Sequence, residues 1–324
     1  MRILITGGSG FIGTNLLEYF IQQNHEVCNF DIVEPRNSAH YSYWHKGDLL
    51  ELEKLQSAIL EFSPQIIFHL AARTDLNGHS IDDYPANTTG VKNLITAIQG
   101  VNSLERIIFA SSRLVCKIGY VPKDEFDYCP TTPYGESKVI GEEIVRNASS
   151  SLKCLSFIVR PTSIWGPWFD VPYKNFFLTI SNSHYVHPGE GSVLKSFGFV
   201  GNTVYCLDRL MNASKDVVAN QNFYLADYPP INLKLFAIQI QQKIGVNPIK
   251  TLPIFLLRAI ACFGDFLKFL GWKNPPLTSF RLSNLITPMV YDTAPLETLS
   301  GDLPYSMEEG VDITINWLRT QGDI

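Results

Sequence analysis

Metal-binding patterns are missing from this sequence. Its six cysteines, Cys28, Cys116, Cys129, Cys154, Cys206 and Cys262, form no C-x-x-C pair and keep no ligand-like spacing with histidine. They read as free thiols of a reducing compartment, and no metal centre is expected. Lysine and arginine form no run, and 26 basic against 31 acidic residues leave a net charge of −5. That excludes the basic field a nucleic-acid partner needs. Long uncharged apolar runs are absent too. Residues 254–270 are strongly apolar, but they carry Arg258, Asp265 and Lys268 and are short for a membrane span. A buried or interface helix is expected there, without stable membrane insertion. No internal repeat and no low-complexity tract occurs. A first strand beginning at Arg2 leaves no room for a leader, so the cytoplasm is the expected location.

What is present is a chain of 324 residues, 45% apolar and 18% charged, which can build a sizeable core. Its first apolar run, Ile3-Leu4-Ile5, leads into Thr6-Gly7-Gly8-Ser9-Gly10-Phe11-Ile12-Gly13. This spacing predicts a strand, a glycine-rich turn and a helix. Gly7 permits the tight turn, Gly10 leaves room for backbone to approach a pyrophosphate, and Gly13 lets the helix pack close to the strand. N–H groups of the helix start would face the phosphates. The motif alone also fits an ordinary strand–helix turn.

Downstream, residues 3–6, 26–31, 66–70, 106–110 and 155–159 read as strands. Residues 14–23, 52–62, 91–100 and 134–148 read as helices between them. Such alternation implies βαβ units: an α/β fold with a doubly wound parallel sheet of Rossmann type, and chemistry beyond the carboxyl ends of the strands. After Gly166 the alternation breaks, as in Trp165-Gly166-Pro167-Trp168. We expect a nucleotide-binding domain over 1–166 that also takes back about 193–226. Residues 167–192 and 227–324 would form a smaller, mostly helical substrate-binding region.

Asp31 ends the second predicted strand, 18 residues after Gly13. A carboxylate there accepts hydrogen bonds from an adenosine ribose and repels a 2′-phosphate, favouring NAD over NADP. Arg36, close by, softens that preference. Asp48-Leu49 suits an adenine-edge contact, and Asp48 equally suits a helix cap.

Tyr134 and Lys138 stand four residues apart in Thr132-Pro133-Tyr134-Gly135-Glu136-Ser137-Lys138. Pro133 and the apolar pattern that follows place both near a helix start, on one face. A neighbouring ammonium favours the phenolate, which would make a base near neutral pH. Such a pair is also common on helix surfaces. Ser111-Ser112 follows the fourth predicted strand, where a hydroxyl could bond the same substrate oxygen or simply cap the strand end. Asn87, ahead of the 91–100 pattern, could position backbone or water near the site, or cap the helix. Arg113 could contact an anionic substrate group or lie on the surface.

Taken together, the T-G-x-x-G-x-x-G turn, His69-Leu70-Ala71-Ala72, Asn87, Ser111-Ser112, the Tyr134–Lys138 motif and Arg160-Pro161-Thr162 resemble the extended short-chain dehydrogenase/reductase superfamily. Within it, the likeness is to the nucleotide-sugar epimerase/dehydratase family. It is close from Met1 to about Pro167 and looser beyond. The resemblance implies Tyr134 as proton-transferring base, Lys138 as the group that lowers its pKa and holds the nicotinamide ribose, and Ser112 as the residue orienting the reacting hydroxyl. It implies Gly7, Gly10, Phe11, Ile12 and Gly13 around the pyrophosphate of NAD. Asp31, Asp48, Leu49, Leu70, Ala71, Ala72, Asn87 and Pro161 complete the implied cofactor contacts. Lys195 and Ser163 stand where relatives hold a substrate diphosphate.

The chain also departs from that pattern. Cys116 replaces a frequent tyrosine, Ser163 replaces an asparagine, and Gly201-Asn202 replaces a frequent acidic pair. The acidic pair of the 4,6-dehydratases is missing, since Arg113-Leu114 follows the serines. The expected activity is therefore NAD-dependent nucleotide-sugar epimerisation, most simply at C4, through a transient keto-sugar. A keto-sugar reductase or hydroxyl dehydrogenase, including one for a sterol-like substrate, shares every residue named. A non-catalytic nucleotide-binding protein would have no use for a tuned phenol. A homodimer, paired through two helices of the nucleotide domain, is the assembly the resemblance implies.

Overall fold

The computed structural model describes residues 1–170, 172–218, 221–272, 275 and 277–324. Seven parallel strands form its central sheet: β1 (Arg2–Thr6), β2 (Glu26–Asp31), β3 (Trp44–Lys46), β4 (Ile66–His69), β5 (Arg106–Ala110), β6 (Leu155–Pro161) and, later in the chain, β11 (Asn222–Leu225). Their order is β11-β6-β5-β4-β1-β2-β3. Strand order therefore reverses between β1 and β4, which opens a crevice at their carboxyl ends. This is the doubly wound architecture expected from the alternation.

Burial follows the period of two along the strands. Ile3 and Ile5 face one layer with Phe68 and Phe157, while Leu4 faces the other with Ile67 and Ile107. Helices α1 (Phe11–Gln22) and α6 (Val200–Asn212) cover the first face. Helices α2 (Leu52–Phe62), α3 (Pro85–Ala97) and α4 (Pro133–Ser149) cover the second. Two helix starts differ from the sequence reading by more than one residue. Helix α1 starts three residues earlier, because Gly10 ends the turn and caps it. Helix α3 starts six residues earlier, because Pro85 supplies the first-turn φ that a helix start tolerates.

Beyond β6 lie the short strands β7 (Ser163–Trp165), β8 (Val186–Pro188), β9 (Leu194–Lys195), β10 (Phe197–Phe199), β12 (Ile231–Asn232) and β13 (Lys250–Leu252). With them come α5 (Tyr173–Ser181), α7 (Lys215–Val218), α8 (Leu233–Ile244), α9 (Ile254–Phe269), α10 (Ser279–Ile286), α11 (Ala294–Ser300) and α12 (Met307–Gln321). Residues 193–226 supply α6 and β11. Phe236 and Ile240 of α8, Leu296 of α11, and Val311 and Ile315 of α12 enter the same core as β1. Helices α9 and α10 instead place Leu257, Ala261 and Leu282 in a separate small cluster. The helix expected to be buried or at an interface thus buries one narrow stripe and leaves most of its surface open. Among the described residues, no helix is long and apolar enough to cross a membrane.

Candidate active site

The glycine-rich turn closes the gap between β1 and α1. Gly7 N–H donates to Phe30 O at 3.0 Å and Gly10 N–H to Gly7 O at 3.0 Å. A Cβ on Gly13 would overlap Gly7 O, so only glycine lets α1 start this close to the strand. Gly10 caps α1 without a side-chain acceptor, and the first turn carries no acidic residue. The free N–H groups and macrodipole there suit a pyrophosphate. At the end of β2 the Asp31 carboxylate accepts from Ser9 N at 3.0 Å and from Val33 N at 3.1 Å. Burial raises its pKa, and these bonds oppose the rise. Arg36 lies over the turn, donating to Ser9 O at 3.2 Å and Trp168 O at 3.0 Å. This donor cradle with a carboxylate at its ribose end fits NAD.

Leu70 and Ala71 flank the turn across the crevice, with Leu70 N–H on Thr6 O at 3.0 Å and Ala71 N–H near Thr6 Oγ1 at 3.4 Å; Ala72 follows them. Behind, Thr6 Oγ1 and His69 Nδ1 lie 2.8 Å apart. Burial, with Lys138 nearby, pulls His69 down to about 3, so its ring is neutral. Asp48 accepts from Leu50 N at 2.9 Å in a local turn and does not cap α2, which starts after Glu51. Leu49 is buried in the core under α3. Pro161 ends β6 opposite Leu225.

The catalytic candidates meet at the end of β5. Ser112 caps a short 3-10 turn, Arg113–Val115, its Oγ accepting from Leu114 N at 3.1 Å. Thr132 caps α4 through Gly135 N at 3.0 Å. Helix α4 comes so close to the 3-10 turn that a Cβ on Gly135 would overlap Leu114 O. That approach sets Tyr134 against Ser112. The phenol is buried and is pushed up to about 12, chiefly by burial, while the Ser112 hydroxyl and Arg113 pull it down. Lys138 makes no hydrogen bond to it: Nζ donates to Ala110 O at 2.8 Å. Burial pulls Lys138 down to about 8 against the field of Glu142. The lysine-lowered phenol expected from the i, i+4 spacing is therefore not what the protein's own groups produce, because desolvation dominates.

Asn87 is buried in the first turn of α3 and does not cap it. It accepts from Arg73 N at 2.9 Å and donates to Arg73 O at 3.0 Å and Ser137 Oγ at 2.9 Å. It thus holds the loop after β4 against α4, a positioning task. A small pocket beside Lys138 is lined also by His69, Asn87, Ser111 and Glu142.

Three expected substrate residues form one group. Arg113 is buried, and its Nη1 has no hydrogen-bond partner among the described residues. Burial works against its charge, and Tyr173 and Tyr291 outweigh it. Ser163 Oγ accepts from the Tyr173 hydroxyl at 3.2 Å. Lys195 is buried near Arg113 and pulled down to about 7 by burial and that guanidinium. Its ammonium donates to the carbonyls of Asn284 and Thr287, which leaves one of its three N–H donors for a further acceptor.

Sequence reasoning missed the tyrosines around this group. Tyr84 lies 6.0 Å from Tyr134, ring centre to ring centre. Tyr173 and Tyr291 face Arg113, and Tyr291 stacks on Tyr224 at 4.7 Å. For Tyr173 and Tyr291 the only local signal is the aromatic density after Gly166, and Tyr84 has none.

A model of the NAD dependent epimerase/dehydratase family matches residues 3–226. The chain belongs to this family. It is 26% identical, over 98% of its length and 95% of the relative's, to an N-acetyl-alpha-D-glucosaminyl-diphospho-ditrans,octacis-undecaprenol 4-epimerase of Escherichia coli O157:H7. It is 27% identical, over 98% and 97%, to a decarboxylating sterol-4-alpha-carboxylate 3-dehydrogenase of Saccharomyces cerevisiae. Among solved structures, UDP-glucuronic acid 4-epimerase from Bacillus cereus, in complex with UDP-glucuronic acid and NAD, superposes with a TM-score of 0.75 at 16% identity, covering 99% of this chain and all of that one. The protein is an NAD-dependent enzyme of the extended short-chain dehydrogenase/reductase type.

Proposed function

We propose that this family member is a 4-epimerase of a diphosphate-activated sugar, with nucleotide sugars as its substrate class. The observation that carries this is the meeting of Ser112, Tyr134 and the buried Arg113 guanidinium at one strand end. Such a site handles a hydroxyl proton beside a fixed cation for an anionic group. The relatives named as 4-epimerases support the choice of reaction.

Bound NAD supplies reversible hydride transfer. Residues Gly7, Gly10, Phe11, Ile12 and Gly13 would hold its pyrophosphate and Asp31 its adenosine ribose. Asp48, Leu49, Leu70, Ala71, Ala72 and Pro161 are proposed along the same crevice. Asn87 would position α4, and Lys138 would take the nicotinamide ribose. Tyr134 accepts the proton of a sugar hydroxyl at its phenol oxygen and later returns it. A neighbouring positive charge must first bring the phenol down from about 12. Ser112 orients the hydroxyl. Arg113, with Ser163 and Lys195, would anchor the diphosphate while the keto-sugar turns. Holding the reactants in place supplies much of the acceleration.

Tyr134→Phe tests this reading. The purified variant should still release NAD on denaturation, while turnover of a nucleotide sugar falls by about a hundredfold or more. Wild-type turnover in that variant would refute the mechanism. A net hydroxyl dehydrogenase on a sterol-like substrate is the second reading, favoured by the yeast relative. It would consume NAD stoichiometrically, whereas epimerisation regenerates it. Cytoplasmic residence and a homodimer through α3 and α4 belong to the same proposal.

A further inference from the structure

Helix α9 has the wrong surface for a helix facing water. Its buried positions Leu257, Ala261 and Gly264 recur at intervals of four and three, forming one stripe against α10. Opposite that stripe, Phe255, Phe263, Phe266 and Phe269 are 53–86% exposed, and Leu270 and Trp272, just past the helix end, are exposed as well. Phe280 of α10 adds a further exposed ring at 57%. The charged residues Arg258, Asp265 and Lys268 keep to one edge. A helix that is apolar almost all round is ordinarily buried in protein or lipid, and a continuous aromatic patch of this kind marks a contact.

The charge of the same segment selects the contact. Residues 250–290 contain Lys250, Arg258, Lys268, Lys273 and Arg281 against the single acid Asp265, in a chain whose net charge is −5. Asp265 also accepts from Ser279 N at 3.2 Å, which keeps it at the junction with α10. Exposed phenylalanines and a tryptophan with flanking cations are the composition of a helix lying in the headgroup region of an anionic bilayer. A second copy pairing through this face would meet it with the same face and bring the cations of the two α9 segments together. The position in the fold agrees: α10 is tied to the site through Lys195, whose ammonium binds Asn284 O and Thr287 O and lies near Arg113.

We propose that the outer face of α9, with Trp272 and Phe280, docks this enzyme on an anionic lipid surface without crossing it. Docked this way, the substrate side of the site opens close to the membrane, within reach of a diphospho-sugar carried on a lipid. That access rests on the proposed function; the docking does not.

The test is co-sedimentation of the full NAD-loaded chain with vesicles of phosphatidylcholine containing phosphatidylglycerol, compared with phosphatidylcholine alone. Binding should favour the anionic vesicles and weaken with salt. The variant Phe255→Glu/Phe263→Glu/Phe266→Glu should lose about tenfold or more of its partitioning while releasing the same amount of NAD and melting cooperatively. Cys262 provides a second readout as the exposed one of six thiols. An environment-sensitive dye attached there should shift to the blue on adding anionic vesicles. Docking is overturned if the wild type stays in the supernatant, if the triple variant binds equally, or if wild type sediments as an oligomer that the variant breaks without any vesicle dependence. Vesicle binding with no epimerisation of any diphospho-sugar would leave docking standing and remove the functional reading.

Discussion

Burial moves the pKa values of Tyr134 and Lys138 in opposite directions, and the Lys138 shift has a measurable consequence. Lys138 has a folded pKa of about 8 against about 10.4 unfolded. Between those values the unfolded chain binds more protons, so stability rises with pH. Below pH 8 the cost of burying the ammonium is full; by pH 10.5 it is relieved. Unfolding free energy of wild type relative to Lys138→Met should therefore climb by roughly 2–3 kcal/mol from pH 8 to 10.5. Denaturant titrations across that range check it, and a flat difference would show the lysine is not desolvated. Tyr134 and Lys138 were legible because their relation is local, four residues along one helix. Tyr84, Tyr173 and Tyr291 were not, because three separate segments bring them to Tyr134 and Arg113, and no spacing encodes that.

At the level of elements, α4 is fixed to the sheet by one buried ion pair. Arg160 on β6 donates to Glu142 at 2.9 and 2.8 Å, to Tyr224 on β11 at 3.1 Å and to Glu125 O at 2.7 Å. Burial would raise the Glu142 pKa, but the Arg160 hydrogen bonds and charge outweigh it and hold the carboxyl below its usual range. Glu142→Gln leaves a buried guanidinium without its counter-charge and should cost about 3–5 kcal/mol. Because the folded pKa is depressed, the pair contributes fully above the ordinary carboxylate pKa and is lost as pH falls below it. Wild type and variant should converge in acid, as read by chemical denaturation at pH 7 and pH 3.5. A constant difference across that range would place the cost elsewhere. Sequence reading captured α4 and β6 as elements and Arg160 as part of a motif, but not their pairing. It also missed β3, since Trp44-His45-Lys46 is a three-residue edge strand with two exposed residues. Such a strand carries almost none of the alternation that reveals longer ones.

At the scale of the whole molecule, the parallel sheet was legible because five of its strands alternate with helices in order. The C-terminal third was not, since prolines mark where helices stop but not what they pack against. Helices α8, α11 and α12 join the main core, whereas α9 leaves its aromatic face outside. The same contrast bears on assembly. A dimer through α3 and α4 would pair surfaces carrying exposed Thr89, Lys92 and Thr96 beside Glu136, Glu143 and Asn147. Neither helix contributes a large exposed hydrophobic residue. An interface so built lacks the apolar centre of an obligate dimer and leans on charge pairs such as Lys92 with a partner carboxylate. Exposed charges are screened beyond about 8 Å at physiological ionic strength and about 3 Å at 1 M. Such a dimer should therefore dissociate as salt rises from about 0.05 to about 1 M, and Lys92→Glu should weaken it at low salt. Sedimentation velocity at both salt concentrations checks this. A dimer indifferent to salt and to Lys92→Glu would mean that the association uses some other surface. If the exposed face of α9 were that surface, the Phe255→Glu/Phe263→Glu/Phe266→Glu variant would be the one to run as a monomer.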